Sequence, residues 1–385
     1  MAKEIRRVAY VTTIDSSDIN NWSGILLYLH DALATVFPEV VRIGPLKSTR
    51  EPLGVARRLY SWTKKQDHPL WLTQASAKGM ARQVEAQLAE IKPDAVFSVW
   101  HPQIAYLRTQ LPVFMFQDSP FEIIQPLYEG LHHFTPGIMK EVQLVERVAA
   151  KRCTGIIETS DWAANEARKL WRIPHDTVAS IPFGANIKAL VDESNLESTI
   201  QARRGNEVNL LWLGKEWDRK GGDIAVEATK ILNARGIKAT LRVVGCEVPE
   251  MFRASYVDAI GFIDKKTPEG LKKLNDLLLT SHALFLPTRA EAFGIVYLEA
   301  AANAMPSLAP DVMGVGSAVL DGLTGRLLPK DAPGTAYADV VEGWVKDRDS
   351  YEELSRKAFH TYHDRFTWEK VALRIRDFMQ SRVGG

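Results

Sequence analysis

Short apolar segments alternate with amphipathic segments along most of the chain, and this alternation restricts the fold more than any other feature. In the first half, apolar and β-branched runs predict strands at 8–13, 40–43, 95–99, 112–116 and 155–159. Helical periodicity between them predicts helices at 25–36, 81–91, 141–150 and 162–170. Parallel strands need a long crossover, usually a helix, so a strand–helix–strand alternation favours parallel pairing. The sequence therefore predicts an α/β protein built on parallel sheets.

The second half repeats this scheme and predicts a second domain. Its predicted strands lie at 209–213, 240–244, 283–286 and 307–309, and its predicted helices at 222–235, 269–279 and 295–304. The polar segment 188–206 lacks strand character and predicts a linker with a surface helix. We therefore predict a Rossmann-like domain over 1–187 and another over 207–365, with ligands near the carboxyl ends of the strands.

Composition excludes several classes of function. The chain has 48 basic and 47 acidic residues, and this balance argues against a nucleic-acid-binding protein. No stretch approaches the roughly 20 apolar residues that span a bilayer, and the N-terminus has no apolar signal-peptide core. Cys153 and Cys246 lie far apart, which favours buried thiols over a disulfide or a metal pair. These features predict a cytoplasmic protein.

Residues 287–299 carry the most informative local pattern. Glu291 and Glu299 stand eight positions apart around a turn that contains Gly294, between a predicted strand and a predicted helix. The first N–H groups of a helix lack internal partners, so such a turn can bind an anion. Glu299 would then accept hydrogen bonds from a ribose diol, and Glu291 would bind hydroxyls of the group that the phosphate carries. The alternative is a solvated helix start at which an acidic side chain in the first turn stabilises the helix.

The same segment resembles the E-x7-E motif of retaining glycosyltransferases of family 4, which have the GT-B fold. Further similar segments follow the family's order at 181–186, 210–222, 243–245 and 311–325. The similarity is dense from about 116 to 329. It implies two Rossmann-like domains with parallel sheets that face a central cleft. It also implies that the C-terminal segment, 366–385, crosses back as a helix to complete the N-terminal domain.

The resemblance implies a cationic loop for the donor's diphosphate. Lys220 matches the family's catalytic-loop lysine, and Lys215 follows Gly214 where the family commonly has arginine. Lysine neutralises phosphate as a point charge but lacks the bidentate fork of arginine. Arg219 would add a third cation. The alternative is a solvated basic loop before a helix.

The backbone amides of Phe293, Gly294 and Ile295 are the second phosphate contact that the resemblance implies. Gly294 would allow a ligand to approach the backbone closely. In the N-terminal domain, the turn at Gly24 would face the donor phosphates and the acceptor. The family often has two glycines there and this chain has one, so an ordinary turn glycine is the alternative.

A second N-terminal element, the end of the strand at 112–116, departs from the family. Gln117 stands where many members have a histidine that helps to hold the transferred sugar. His101, after the preceding strand, either compensates in part or is an ordinary strand-end histidine. Asp118 would accept a hydrogen bond from the sugar or the acceptor, and the alternative is a local turn role before Ser119.

Neither a metal nor another cofactor is expected, since the nucleotide-sugar is a substrate. The one Asp-x-Asp pattern, at Asp347 and Asp349, predicts a helix cap rather than a metal site. The basic segment 47–65, with interleaved apolar and aromatic residues, has two interpretations. It is either a surface helix packed on its own domain, which we favour, or a peripheral contact with the anionic inner face of a membrane.

Together these features predict a metal-independent retaining glycosyltransferase. It would move a sugar from a UDP-sugar, favoured over a GDP-sugar, to a glycan, lipid-linked or small-molecule acceptor. Three alternatives remain: a nucleotide-sugar epimerase, a pyridoxal-phosphate phosphorylase and a non-catalytic nucleotide-sugar-binding relative. The sequence has no readable code for the base, the sugar, the acceptor or the oligomeric state.

Overall fold

The computed structural model describes residues 4–49, 52–63, 65–128, 131, 133–205 and 207–384. The chain divides into two compact units. The first unit contains the chain up to Asn186 together with the residues from Trp368 onward, and the second contains Ile187–Thr367. Residues 188–206, which the sequence predicts to be a linker, thus lie in the second unit.

The first unit is built on a six-stranded parallel sheet in the order β2-β1-β3-β4-β5-β6. Its strands are β1 (Arg7–Val11), β2 (Glu39–Ile43), β3 (Ala95–Val99), β4 (Val113–Gln117), β5 (Gly155–Glu158) and β6 (Val178–Ser180). Its helices are α1 (Ile25–Val36), α2 (Pro52–Thr63), α3 (Gln74–Ile91), α4 (Phe121–Ile124), α5 (Pro136–Arg152) and α6 (Asp161–Trp171). Every residue of β3, β4 and β5 is buried, as expected for strands covered on both faces.

The C-terminal helix, Trp368–Val383, belongs to this first unit. The indole N–H of Trp368 donates a hydrogen bond to Asn186 Oδ1 at 2.9 Å. The ring of Phe378 packs edge-on against that of Phe114 in β4, with 6.3 Å between the ring centroids. The C-terminal segment therefore packs against the sheet built by the N-terminal residues, as the resemblance implied.

The second unit is built on another six-stranded parallel sheet, in the order β12-β11-β10-β7-β8-β9. Its strands are β7 (Glu207–Leu213), β8 (Lys238–Val244), β9 (Val257–Gly261), β10 (Ala283–Phe285), β11 (Ser307–Asp311) and β12 (Gly325–Pro329). Its helices are α7 (Leu196–Ala202), α8 (Gly222–Ala234), α9 (Pro268–Thr280), α10 (Ile295–Ala301), α11 (Val315–Ala318), α12 (Gly334–Lys346) and α13 (Arg348–Arg365).

Three strands that the sequence analysis did not predict, β6, β9 and β12, all lie at sheet edges. An edge strand pairs on one side only and buries fewer side chains, so its apolar signal is weak. In β9 no residue is fully buried. The predicted helix at 295–304 is shorter in the structure, because α10 ends at Ala301.

The segment around α7 is more firmly packed than a surface linker. Leu196 and Ile200 are buried in one cluster with Phe359 of α13. Arg203, which is 2% exposed, donates hydrogen bonds to four backbone carbonyls, including that of Asn303 at 2.8 Å. A buried guanidinium needs such partners, and this one anchors the segment in the second unit.

Candidate functional site

Two loops at the carboxyl ends of neighbouring strands form the centre of the candidate site in the second unit. One loop follows β7 and runs from Gly214 to Gly221, and the other follows β10 and leads to α10 at Ile295. Gly221 has a φ of 69°, and a Cβ there would lie 1.9 Å from the Pro287 carbonyl oxygen. Only glycine therefore lets the first loop pack so closely against the second.

The two loops are joined by buried charges. The Lys220 ammonium forms an ion pair with the Glu291 carboxylate, and both residues are 8% exposed. Arg219 Nη1 lies 3.5 Å from Glu291 Oε2 and donates to the Ala290 carbonyl at 2.7 Å. Burial alone would raise the pKa of Glu291, but the charges and hydrogen bonds of Lys220 and Arg219 outweigh it and lower the pKa. Glu291 is therefore an ionised carboxylate at neutral pH.

Gly214 makes room for this arrangement. A Cβ at Gly214 would lie 3.0 Å from Cγ of Lys220, so the missing side chain lets Lys220 fold back over the loop. Lys215, the next residue, is exposed, and within the described part of the chain it forms no ion pair. The loop thus holds one lysine in a buried pair and keeps another in solvent.

Contacts within the protein require a glycine in the turn before α10. Gly294 has a φ of 85°, and a Cβ there would lie 2.5 Å from the Tyr297 ring and 3.2 Å from Glu291 Cγ. The sequence analysis ascribed this glycine to a ligand's close approach, whereas intramolecular contacts already require it. Phe293 is buried and Ile295 is half-buried on either side. Because α10 is short, most of the positive charge at this site comes from the side chains of the first loop.

Glu299, on α10, is a buried carboxyl without a hydrogen-bond donor. It is 5% exposed, and no described group donates a hydrogen bond to its side chain. Burial raises its pKa, and the charge of Lys265 partly opposes this effect. A buried acceptor with unfilled capacity favours a ligand that brings hydroxyl donors. Lys265 was not singled out from the sequence, because it follows β9, an edge strand that went unrecognised.

In the first unit, Gly24 ends a strained turn. Trp22, Ser23 and Gly24 have φ values of 47°, 57° and 89°, and Gly24 caps α1. The Ser23 carbonyl accepts a hydrogen bond from Asn186 Nδ2 at 2.9 Å. Left-handed backbone at non-glycine residues costs of order 1–3 kcal/mol each and is concentrated at functional sites. The turn therefore has a strained backbone, and the role of Gly24 in binding a donor stays a prediction.

Asp118 follows β4 and is half-buried, and its Oδ1 accepts a hydrogen bond from the Ser119 N–H at 3.0 Å. The Gln117 side chain is buried and donates a hydrogen bond to Glu158 Oε1 at 3.1 Å, so its amide bonds another buried side chain of the first unit. His101 is also buried, which lowers its pKa to about 3 and keeps it neutral. The sequence analysis did not single out Glu158, although an acid at the end of a buried strand is itself a signal of a candidate functional residue.

The remaining predicted features have mixed outcomes. Asp347 caps α13 as predicted, because its Oδ1 accepts from the Ser350 N–H at 3.0 Å. Over the described ranges, no group of three or more His, Cys, Asp or Glu residues could hold a metal. The same ranges contain no helix that is long and apolar enough to cross a membrane.

The segment 47–65 contains α2, a helix at the surface of the first unit. Part of it lies outside the described residues, at 50, 51 and 64. On α2, the side chains of Leu59, Tyr60 and Trp62 are 63%, 66% and 79% exposed. Ser61 of the same helix is 2% exposed, so α2 has a buried side and an exposed side, and both interpretations of the segment stay predictions.

Comparisons with known proteins point to glycosyltransferases. Residues 207–347 match the family described as "Glycosyl transferases group 1". The chain is 25% identical over 218 residues to D-inositol 3-phosphate glycosyltransferase of Paenarthrobacter aurescens, covering 54% of this chain and 53% of that protein. It is 25% identical over 219 residues to alpha-D-kanosaminyltransferase of Streptomyces kanamyceticus, covering 55% and 56%. The chain thus spans about half the length of these relatives.

Solved structures cover nearly the whole chain. Sucrose-phosphate synthase from Thermosynechococcus elongatus matches with a TM-score of 0.67 and 17% identity over 98% of both chains. HepE of Anabaena in complex with UDP matches with a TM-score of 0.67 and 13% identity, covering 98% of this chain and 100% of that one. With two parallel six-stranded sheets, the protein has the GT-B fold, and the predicted fold class is confirmed.

Proposed function

We propose that the protein is a glycosyltransferase that uses a nucleotide-sugar donor. The observation that carries this proposal is the buried cluster of Lys220, Arg219 and Glu291, joined across two loops at the carboxyl ends of parallel strands. Ligands of open parallel sheets bind at such ends. The group 1 match over 207–347 and the glycosyltransferase relatives support the same conclusion.

In this proposal the first loop stabilises the departing diphosphate. Lys220 and the exposed Lys215 neutralise the charge that builds up as the bond to the sugar breaks. Arg219, which is paired with Glu216, adds a third positive charge to the loop. Preorganised charge of this kind is usually the largest catalytic term. The amides of Phe293, Gly294 and Ile295 supply further donors to the phosphates.

Glu291 and Glu299 have separate roles. Glu299 accepts hydrogen bonds from the ribose hydroxyls, which fill its unused acceptor capacity. Glu291 contacts the donor sugar and is held as a carboxylate by Lys220. When the diphosphate binds, it competes with Glu291 for the Lys220 ammonium, so the ion pair must lengthen. Donor binding would thereby free the carboxylate for the sugar hydroxyls.

We further propose a retaining, metal-independent reaction of the family 4 type, in which the acceptor attacks the front face of an oxocarbenium-like ion pair. Gly24 contributes to binding the donor, and Asp118 accepts a hydrogen bond from the sugar or the acceptor. UDP is the favoured nucleotide, since the similar fold of HepE binds UDP and UDP-glucose. We propose a cytoplasmic location.

A panel of UDP, GDP and ADP tests the donor class by thermal unfolding. A cognate nucleotide at a hundredfold excess over its dissociation constant stabilises the protein by about 2.7 kcal/mol. Glu299→Gln should reduce that stabilisation, whereas Glu269→Gln, an exposed acid on α9, should not. Stabilisation by none of the three nucleotides would contradict the proposal.

Transfer itself is tested by donor hydrolysis, which needs no knowledge of the acceptor. UDP-glucose and UDP-galactose are incubated with the protein, and the released UDP is measured. Lys220→Ala should lower the release at least a hundredfold, since one electrostatic donor contributes about 10²–10³ to a rate. Equal release by wild type and variant would refute the site assignment, and free epimerised nucleotide-sugar would instead favour the epimerase.

The exposed side chains of α2 form a surface that we propose to contact an anionic membrane. Leu59, Tyr60 and Trp62 supply apolar area, and the exposed Lys47 and Lys65 supply positive charge. Vesicles of phosphatidylcholine with and without phosphatidylglycerol provide the test. Binding should require the anionic lipid and should fall at least tenfold in Leu59→Ser/Trp62→Ser. Equal partitioning to both vesicle types would contradict it.

A further inference from the structure

A buried acidic pair in the first unit takes no part in the site described above. Glu158 ends β5 and is fully buried, and Glu146 of α5 is 1% exposed. The Gln117 amide donates to Glu158 Oε1 at 3.1 Å and is also close enough to the Glu146 carboxyl to oppose the rise in that acid's pKa. One oxygen of each acid, the Oε2 atom, is buried without a hydrogen-bond partner.

No cation compensates these two acids within the described part of the chain. The groups that face them are the neutral His101, with its Nδ1 at 3.6 Å from Glu146 Oε1, and two further acids, Asp118 and Glu122. Arg147 Nη2 lies 3.6 Å from Glu122 Oε2 and pairs with Glu122 rather than with Glu146 or Glu158. Two buried carboxylates without a cation cannot both ionise at small cost, so one of them keeps a proton.

Glu146 also holds the chain that follows Asp118. Its Oε1 accepts a hydrogen bond from the Phe121 N–H at 2.8 Å, at the first residue of α4. The acid thereby satisfies a backbone donor that a helix start leaves unpaired. The segment 118–124 is thus attached to the acidic pair through Gln117, which precedes it, and through Phe121 in its middle.

We propose that Glu146 and Glu158, bridged by Gln117, share a proton at neutral pH and position the segment 118–124, which carries Asp118. These acids are positioning residues, because they act through the segment. Burial raises the pKa of Glu146 to about 7 and that of Glu158 well above its usual value, with the neighbouring acids adding to the effect. When the pair loses its proton, repulsion among the acids loosens the segment. Only the importance given to Asp118 rests on the proposed function.

The proton is detected by infrared spectroscopy of the ligand-free full chain at pH 7. Wild type should show the C=O stretch of a protonated buried carboxyl. That band should disappear in Glu146→Gln/Glu158→Gln and persist in Glu166→Gln, which removes a half-buried acid of α6. A missing band in wild type, or a band that persists in the double variant, would overturn the proposal.

Positioning is detected by hydrogen exchange over 118–124, corrected for the intrinsic effect of pH. In wild type, protection should fall at least tenfold as pH rises from about 6 to about 9, and in Glu158→Gln it should change less than twofold. Gln117→Ala should exchange at least fivefold faster at pH 7, and Gln83→Ala, at a distant glutamine of α3, should not. Equal pH profiles for wild type and Glu158→Gln would reject the positioning role. Neither measurement uses a nucleotide, so failure here leaves the proposed function standing, and the reverse also holds.

Discussion

The ion pair between Lys220 and Glu291 should be a measurable part of the stability of the second unit. Lys220→Met removes the ammonium and leaves the Glu291 carboxylate, which is 8% exposed, with Arg219 Nη1 3.5 Å from its Oε2. Breaking a buried pair by removing one partner typically costs 3–5 kcal/mol, because an uncompensated charge stays buried. Since Arg219 still attracts Glu291, we expect the lower end, about 3 kcal/mol.

A double-mutant cycle separates this charge effect from loss of packing. Glu291→Gln alone leaves the Lys220 ammonium buried, so it should be costly as well. Lys220→Met/Glu291→Gln removes both charges and should cost about 2 kcal/mol less than the sum of the single changes. As a control, Asp223→Asn breaks the partly exposed pair with Arg289 and should cost less than about 1 kcal/mol.

Urea unfolding followed by tryptophan fluorescence is the assay. Trp212 is well placed to report on the second unit, because it is fully buried and its indole N–H donates to the Lys220 carbonyl at 3.2 Å. The pKa of Glu291 is lowered in the folded state, so its stabilisation is present above its unfolded pKa and is lost as pH falls through the folded value. The wild type should therefore lose its advantage over Glu291→Gln below about pH 4. Additive single costs, or an advantage that persists in acid, would refute the reasoning.

Three further predictions follow from single contacts. Gly221→Ala should destabilise the protein by at least about 2 kcal/mol more than Gly236→Ala in urea unfolding, because both have positive φ but only Gly221 faces a carbonyl oxygen. Arg203→Met should lower the free energy of unfolding by about 3 kcal/mol or more, since four carbonyls lose a buried donor; a cost below 1 kcal/mol would contradict this. Lys215→Ala should leave stability unchanged within about 0.5 kcal/mol and weaken UDP binding about tenfold by calorimetry, and unaltered affinity would count against its role.

The central strands and the helices that cross between them could be read from the chain itself. Strands β3 and β7 are rich in apolar residues, and such segments have few ways to bury themselves other than inside a parallel sheet. Helix α1 was predicted with the bounds that the structure shows, because glycine precedes it and its apolar periodicity is regular. The placement of the candidate residues Lys215, Arg219 and Lys220 on the loop that follows β7 was also readable.

Side-chain partners could not be read in this way. Lys215 and Lys220 lie in the same predicted basic loop, yet Lys215 is exposed and Lys220 is buried against Glu291, 71 positions further along the chain. Glu146 looks like any acid on an amphipathic helix, and its burial beside Gln117 depends on how α5 packs against the sheet. The 79% exposure of the Trp62 side chain likewise depends on which other segments of the fold pack against α2.

The sequence by itself determined the alternation of strands and helices, because backbone geometry and apolar periodicity are local properties of the chain. Tertiary structure decided which charges are paired, which are solvated and which acids retain a proton. Those outcomes depend on the local dielectric and on neighbours brought together from distant segments, and a residue's own sequence context contains neither.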